Sequence, residues 1–127
     1  MIQKESYIKI IDNSGGKWAK CIHIYNGYRK RVAKIGDRIL ISVKQLREKK
    51  RSRAKVKEKM LLFSLVVLTT MAIRTKNNIF NIFFQNFGIL LNKQFKPFGT
   101  RFYIKIPKWF RFSRYFRIVS LAKGLIY

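Results

Sequence analysis

Carboxylates, which supply much of the acid, base and cation-binding chemistry of proteins, are scarce in this sequence. The chain has five of them, Glu5, Asp12, Asp37, Glu48 and Glu58, and none follows Glu58. Paired carboxylates are one common source of general acid and base catalysis, and hard cations bind to clustered carboxylate oxygens. We therefore predict no carboxylate-based catalytic site and no calcium or magnesium site.

Cysteine and histidine offer equally little chemistry, because Cys21 and His23 are the only residues of their types. A zinc site needs three or four ligands, and one cysteine cannot form an internal disulfide. Both residues lie in an apolar stretch, so we interpret them as ordinary strand side chains. No local motif supplies the context of a Ser-His-Asp triad. We predict no catalytic residue, no metal and no cofactor.

Positive charge dominates the composition, with 29 Lys and Arg against 5 Asp and Glu and a formal net charge of +24. A chain this basic repels itself unless a polyanion neutralises it. Hydrophobic residues make up 48% of the 127 residues, which is too many for a disordered tail. We expect one domain over residues 1–127 that folds and binds nucleic acid.

Two segments concentrate this charge. The basic loop, residues 44–59, holds nine Lys and Arg and two Glu, and we expect it to pack on nothing but an anion. The aromatic segment, residues 93–117, alternates cations with aromatic rings, a pattern suited to phosphates and unpaired bases of RNA. The predicted RNA-binding residues are Lys44, Lys49, Lys50, Arg51, Arg53, Lys55 and Lys57 in the basic loop, and Arg101, Lys105, Lys108, Arg111, Arg114 and Arg117 in the aromatic segment.

Short apolar or alternating stretches separated by turn residues predict an all-β fold, a small closed barrel of five or more short strands. Residues 12–16, 26–27 and 35–37 read as turns, and Gly15, Gly36 and Gly99 as glycines that permit tight turns. Predicted strands cover 7–11, 19–25, 38–43, a part of 60–73, 79–84, 88–91 and 100–106. The barrel is expected within residues 1–106, and short helices within 107–127, with Pro107 in a first helical turn.

The apolar run at residues 60–73 has two readings. It is shorter than the roughly 20 residues that cross a bilayer as a helix, and its centre is rich in β-branched residues. We interpret it as a buried strand. The alternative is a basic, membrane-associated protein that inserts this run and binds anionic lipid through its Lys and Arg residues.

Several ordered motifs resemble those of one family, the universal large-subunit ribosomal protein L-fourteen. They are Met1-Ile2-Gln3, Asp12-Asn13-Ser14-Gly15, Cys21-Ile22, Gly36-Asp37, Val43-Lys44, Arg74-Thr75-Lys76, Phe83-x-x-Asn86-x-x-Ile89-Leu90-Leu91-Asn92, Gly99-Thr100-Arg101 and Ile118-Val119-Ser120-Leu121-Ala122. Their order and spacing match the family over nearly the whole chain. With this match, Arg74 and Lys76 join the predicted RNA-binding residues.

The resemblance implies a five-stranded β-barrel with a projecting basic hairpin or loop and short C-terminal helices. It also implies a structural protein of the large ribosomal subunit on the intersubunit face. The implied partners are large-subunit rRNA, ribosomal proteins of the L-three and L-nineteen families, and small-subunit rRNA across an intersubunit bridge. A docking surface for ribosomal silencing factor is implied at Thr100, Arg101 and Arg117.

The sequence departs from the family in places. The stretch between Val56 and Arg74 is longer, the hairpin between Lys76 and Phe83 is shorter, and Lys108-Trp109-Phe110-Arg111 replaces an Arg-Glu-Leu-Arg-like stretch. The abundance of Ile, Lys, Phe and Asn indicates AT-rich coding, and residues 1–6 resemble no targeting signal. We therefore expect an organelle-encoded protein of the mitochondrial ribosome, with an AT-rich bacterium or a plastid as alternatives.

An RNA-processing enzyme on a small barrel is a further alternative. It would have to depend on Asp12 or Asp37 for metal-assisted chemistry, and the shortage of carboxylates argues against it.

Overall fold

The computed structural model describes residues 1–74, 78 and 80–126, without the side chains of Lys50, Arg51 and Ile73. Its strands, in chain order, are β1 Tyr7–Ile10, β2 Gly16–Ile24, β3 Arg38–Leu46, β4 Leu61–Leu68, β5 Ile73–Arg74, β6 Phe80–Asn81, β7 Phe87–Leu91, β8 Ile106–Pro107 and β9 Leu125–Ile126. Two 3-10 helices cover Glu48–Arg53 and Lys108–Phe112, and one α-helix, α1, covers Phe116–Leu121.

Five strands close into a barrel in the order β1-β2-β3-β4-β7, as the predicted fold class requires. Neighbouring strands are antiparallel except at the closure, where β1 runs parallel to β7 with Lys9 opposite Phe87. Gly88 leaves room for the Ser64 side chain of β4, because a Cβ at this position would lie 2.6 Å from Ser64 Oγ. Two short pairs, β5 with β6 and β8 with β9, lie outside the barrel.

Side-chain alternation sorts the apolar residues into two clusters. The first joins residues of all five barrel strands: Ile8, Ile10, Ala19, Cys21, Ile39, Ile41, Val43, Leu62, Val66 and Leu90. The second lies between β4, β7 and the C-terminal segment: Leu65, Val67, Leu68, Ile89, Leu91, Phe102, Ile106, Phe110 and Ile118. Strands β4 and β7 therefore bury both of their faces.

Burial on both faces explains the apolar run at residues 60–73. A strand covered on one side only alternates between apolar and polar residues, whereas β4 is covered on both and needs apolar residues throughout. The prediction of a buried strand within this run is confirmed, with β4 at Leu61–Leu68. In the part of the chain that the structure describes, no helix has the length and apolar character needed to cross a membrane.

Two predicted strands prove largely wrong. Of residues 100–106, only Ile106 enters a strand, and Phe102 forms isolated bridges to Asp12 and Ala122. This segment runs over the second cluster as irregular chain, so its apolar spacing reflects packing and not sheet pairing. Of residues 79–84, only Phe80–Asn81 is a strand, and Ile79 lies outside the described residues.

Three local predictions need comment. Gly15 and Gly36 have positive φ values of 105° and 87°, as turn glycines should. Gly99 does not belong with them: it is needed for close approach, because a Cβ there would lie 2.7 Å from Asp12 Cβ. Pro107 precedes its 3-10 helix with an extended ψ of 135° and pairs in β8, so its placement in a first helical turn is wrong.

Candidate nucleic-acid interface

The basic loop leaves β3 and returns to β4 with most of its cations facing solvent. Its members Lys44, Lys49, Arg53, Lys55 and Lys57 are all exposed. Lys50 and Arg51 lie in the 3-10 helix at 48–53, and their side chains are outside the described set. The loop thus presents positive charge along its length, which Glu48 and Glu58 offset only in part.

The expectation that this loop packs on nothing but an anion is wrong. Val56 is 1% exposed and joins the barrel core. Backbone hydrogen bonds tie the loop to the barrel: Arg47 N donates to Gly15 O at 2.9 Å, Lys55 N to Ser14 O at 2.9 Å, and Lys59 N to Val43 O at 2.7 Å. Few apolar residues amid many cations are a weak sequence signal, yet the burial of Val56 and these hydrogen bonds hold the loop against the barrel.

The aromatic segment is also exposed at its predicted cations, Arg101, Lys105, Lys108, Arg111, Arg114 and Arg117. Most of its rings fall into two groups. Phe102 and Phe110 are buried, whereas Phe95, Tyr103, Trp109, Phe112 and Phe116 are exposed. The buried rings hold the segment on the barrel, and the exposed rings alternate with cations at its surface.

The turn at residues 12–15 brings the two basic segments together. On one side, Arg47 lies with its guanidinium carbon 5.4 Å from the centre of the Tyr103 ring. On the other, Asn13 Nδ2 donates to Thr100 Oγ1 at 3.0 Å. Arg101, next to Thr100, is therefore on the same side of the barrel as the start of the basic loop.

Asp12 anchors this arrangement from inside. One carboxylate oxygen accepts hydrogen bonds from the backbone N–H and the hydroxyl of Ser14, and the other accepts from Leu90 N at 3.0 Å. Burial raises the pKa of Asp12, while these hydrogen bonds and the charge of Arg47 oppose the shift. A fully buried carboxylate engaged on both oxygens is a structural group, and this removes one of the two candidates for metal-assisted chemistry.

The other candidate, Asp37, is engaged as well. Its carboxylate accepts from Lys30 Nζ at 2.6 Å and from Lys34 N at 2.7 Å. Cys21 is buried in β2, where burial raises the pKa of the thiol to about 11, and His23 lies on the same strand in edge contact with the Tyr25 ring. Both are strand side chains, as predicted. The described residues contain no group of three or more His, Cys, Asp or Glu that could hold a metal.

A groove of about 630 Å³ adds cations that the sequence did not single out. Arg38 and Lys96 line it together with the predicted residues Arg114 and Arg117, and Phe95 and Tyr115 supply rings. The Arg38 guanidinium carbon lies 4.3 Å from the Phe95 ring centre. Burial raises the pKa of Tyr115, and the charges of Arg38 and Arg114 work against that rise. These residues meet only through the fold, so spacing along the chain could not reveal them.

The remaining predicted residues are more dispersed. Arg74 is exposed and donates to Asn78 Oδ1 through Nη2 at 2.9 Å, at the end of β5. Lys76 lies outside the described residues. Of the three implied docking residues, Thr100 and Arg101 lie beside the 12–15 turn, and Arg117 lies in the groove, whose wall includes Pro97.

A closed five-stranded barrel that carries exposed cations on two segments packed against it defines a class, the small β-barrel proteins with a strongly basic surface. The family model described as ribosomal protein L14p/L23e matches residues 1–126, and the chain belongs to this family. It is thus a structural, non-enzymatic protein of the large ribosomal subunit, and the family implies association with rRNA and with other ribosomal proteins.

Proposed function

We propose that this protein binds large-subunit rRNA near the intersubunit face and helps to form a bridge to the small subunit. The observation that supports this most directly is the meeting of the two basic segments at the 12–15 turn. There the Arg47–Tyr103 contact and the Asn13–Thr100 hydrogen bond join exposed cations into one surface.

Affinity comes from the exposed Lys and Arg residues, which replace counterions around phosphates with little sequence preference. Specificity comes from the shape of the folded RNA and from rings that stack on unpaired bases. The proposed rRNA contacts are Lys44, Lys49, Lys50, Arg51, Arg53, Lys55, Lys57, Arg74, Lys76, Arg101, Lys105, Lys108, Arg111, Arg114 and Arg117. The whole chain acts as one ribosomal-protein domain, because Phe110 and Ile118 join residues 107–126 to the barrel through the second cluster.

Protein neighbours follow from the family resemblance. We propose contacts with ribosomal proteins of the L-three and L-nineteen families, and with small-subunit rRNA across the bridge. Silencing-factor docking at Thr100, Arg101 and Arg117 is part of the same proposal. All three side chains are exposed, and Thr100 is held by Asn13, so two of them sit on an ordered edge.

The test is binding of the purified chain to large-subunit rRNA over a range of salt concentrations. Arg53→Ala should weaken binding broadly and lower the slope of log affinity against log salt by about one unit. Lys123→Ala is the matched control, since it removes one exposed charge outside both segments. Equal affinity and slope for wild type and Arg53→Ala would mean that the basic loop is a solvated face.

The compartment is a separate proposal. The abundance of Ile, Lys, Phe and Asn indicates AT-rich coding, which favours a mitochondrial ribosome, with a plastid or an AT-rich bacterium as alternatives. Sucrose gradients of salt-washed organellar and cytosolic fractions, followed by mass spectrometry, should place the protein with the large subunit of the mitochondrial fraction. Its recovery in cytosolic ribosomes alone would contradict this compartment.

A further inference from the structure

A second hollow lies apart from both basic segments. It measures about 570 Å³ and is lined by Lys4, His23, Arg29, Lys30 and Arg31 among other residues. It shares no lining residue with the groove at Arg38 and Arg117. It belongs to the 26–32 loop, which joins β2 to the segment before β3.

Charge in this hollow is not balanced from within, because its lining contains four cations and no carboxylate. The carboxylates closest in the fold have partners already. Asp37 holds Lys30 and the backbone of Lys34, and Glu5 pairs with Lys20. Lys4, Arg29 and Arg31 therefore favour an anion from outside the chain.

The loop that carries these cations is fixed at both ends. Ile2 and Ala33, both fully buried, exchange backbone hydrogen bonds of 3.0 and 2.7 Å. Arg38 Nη2 donates to Asn26 Oδ1 at 3.3 Å, and Asn26 and Arg29 adopt positive φ values of 73° and 50°. Such backbone conformations persist where the surroundings impose them. The backbone of the loop is thus held in place, so that binding has mainly its side chains to order.

Tyr28 supplies the second half of a binding site at the tip of this loop. Its side chain is 89% exposed, and the Arg29 guanidinium carbon lies 5.2 Å from its ring centre. Most of the ring surface is therefore open to solvent. An exposed aromatic ring beside a cationic hollow suits a ligand that is planar at one end and anionic at the other.

We propose that the 26–32 loop binds an unpaired nucleotide of RNA, with its phosphate in the hollow and its base stacked on Tyr28. This inference rests on the proposed function, because rRNA is the RNA that the protein would contact in the large subunit. An acidic protein segment would satisfy the cations alone. It would leave the exposed ring without a role, whereas every base has a face that stacks on it.

The test compares variants of the full chain for binding to large-subunit rRNA, and maps ultraviolet crosslinks from the loop. Tyr28→Ala should lose about 5- to 150-fold in affinity with an unchanged salt slope, because stacking releases no counterions. Tyr28→Phe should keep wild-type affinity. Tyr7→Ala is the control, since Tyr7 is an exposed tyrosine on β1, and it should bind as wild type does.

Arg31→Ala should lower the salt slope by about one unit, and Lys123→Ala should not. A crosslink from residues 26–32 to an unpaired base would support the proposal. If Tyr28→Ala and Arg31→Ala bind rRNA as wild type does while Arg53→Ala is weakened, the loop proposal is overturned and the proposed function stands. A loop that instead crosslinks only to a ribosomal protein would overturn it too. If the wild type itself fails to bind rRNA, it is the proposed function that fails.

Discussion

At the scale of single residues, the Asp12 carboxylate takes the place of a backbone carbonyl as a hydrogen-bond acceptor. The parallel ladder between β1 and β7 ends at Ile10 and Gly88, and Ile11 N still donates to Gly88 O at 3.2 Å. The Asp12 carboxylate then accepts from Leu90 N, where a strand would have offered a carbonyl. Asp12 thereby closes the barrel beyond the last strand pair and fixes the turn that both basic segments contact.

The raised pKa of Asp12 makes a prediction about pH. The carboxyl ionises at a higher pH in the folded than in the unfolded chain, so its contribution to the free energy of unfolding falls as pH rises from the ordinary value of 3.8 to the folded pKa. In urea titrations at several pH values, wild type should lose stability relative to Asp12→Asn across this window. A difference that does not change with pH would show that the folded pKa is not raised.

Cys21 makes a second prediction at this scale. With a thiol pKa of about 11 in place of 9.0, the folded protein should hold far less thiolate near neutral pH. At about pH 8 the pKa alone should slow alkylation by iodoacetamide roughly 100-fold, and burial should slow it further. Mass spectrometry of the folded and the urea-unfolded chain measures this. Equal rates in both states would contradict the placement of Cys21 in the barrel core.

At the scale of elements, the 3-10 helix at 108–112 shows how the aromatic segment is held. Phe110 is fully buried in the second cluster and stacks on Trp109 with ring centres 4.2 Å apart, whereas Phe112 is 90% exposed. The two phenylalanines are two residues apart on one short element. One fixes the segment, and the other faces outward among the cations.

This pair gives a matched prediction. Phe110→Ala should lower the free energy of unfolding by about 3 to 5 kcal/mol, because it leaves a cavity in the second cluster. Phe112→Ala should change it by about 0.5 kcal/mol or less. Chemical denaturation of both variants in high salt provides the measurement. Similar losses for the two would mean that Phe110 is not the anchor.

The sequence predicts some of these elements better than others, and the difference follows from the number of faces that each element buries. Strands β2 and β3 alternate with turns that need Asn or Gly, so their positions followed from the pattern. Strand β4 shows no alternation of apolar and polar residues, because both of its faces are packed. From sequence alone, its apolar run is therefore also compatible with a membrane segment. Residues 100–106 alternate too, yet most of them form no ladder, because Phe102 and Ile106 pack on β4 and β7 from outside.

The residues of the candidate site also differ in how well the sequence predicts them. Dense runs of Lys and Arg predict exposed cations, because these residues are rarely buried without a partner. The predicted cations whose side chains the structure describes are exposed. Arg38 and Phe95 could not be paired from sequence, because they lie far apart in the chain and meet only when β3 and the 92–97 turn are folded together. Tyr28 could not be predicted as a site residue, because a single tyrosine in a turn forms no recognisable pattern.

At the scale of the whole molecule, the formal charge of +24 opposes the compact state. The ion pairs Lys20–Glu5 and Lys30–Asp37 offset little of this charge. Folding therefore gathers cations that the unfolded chain keeps apart. Screening by salt, or neutralisation by a polyanion, should favour the folded state.

The unfolding temperature of the isolated chain should accordingly rise between about 50 mM and about 500 mM sodium chloride, as the screening length shortens from above 10 Å to a few Å. A short RNA at low salt should raise it as well, since a ligand of the folded state stabilises it. Circular dichroism follows both. An uncharged osmolyte at equal osmolarity is the control, and a melting temperature indifferent to salt and RNA would contradict the charge argument.

The parallel closure between β1 and β7 also sets an order of events during synthesis. Strand β1 pairs early with β2, but Asp12 and its partner Leu90 are 78 residues apart, so β1 must wait for the synthesis of β7 before it gains its second neighbour. Contacts of such long range form late and slowly. While it is being translated, this protein is an open, highly cationic sheet beside a large mass of RNA. Its barrel can close only after Leu91 has left the exit tunnel.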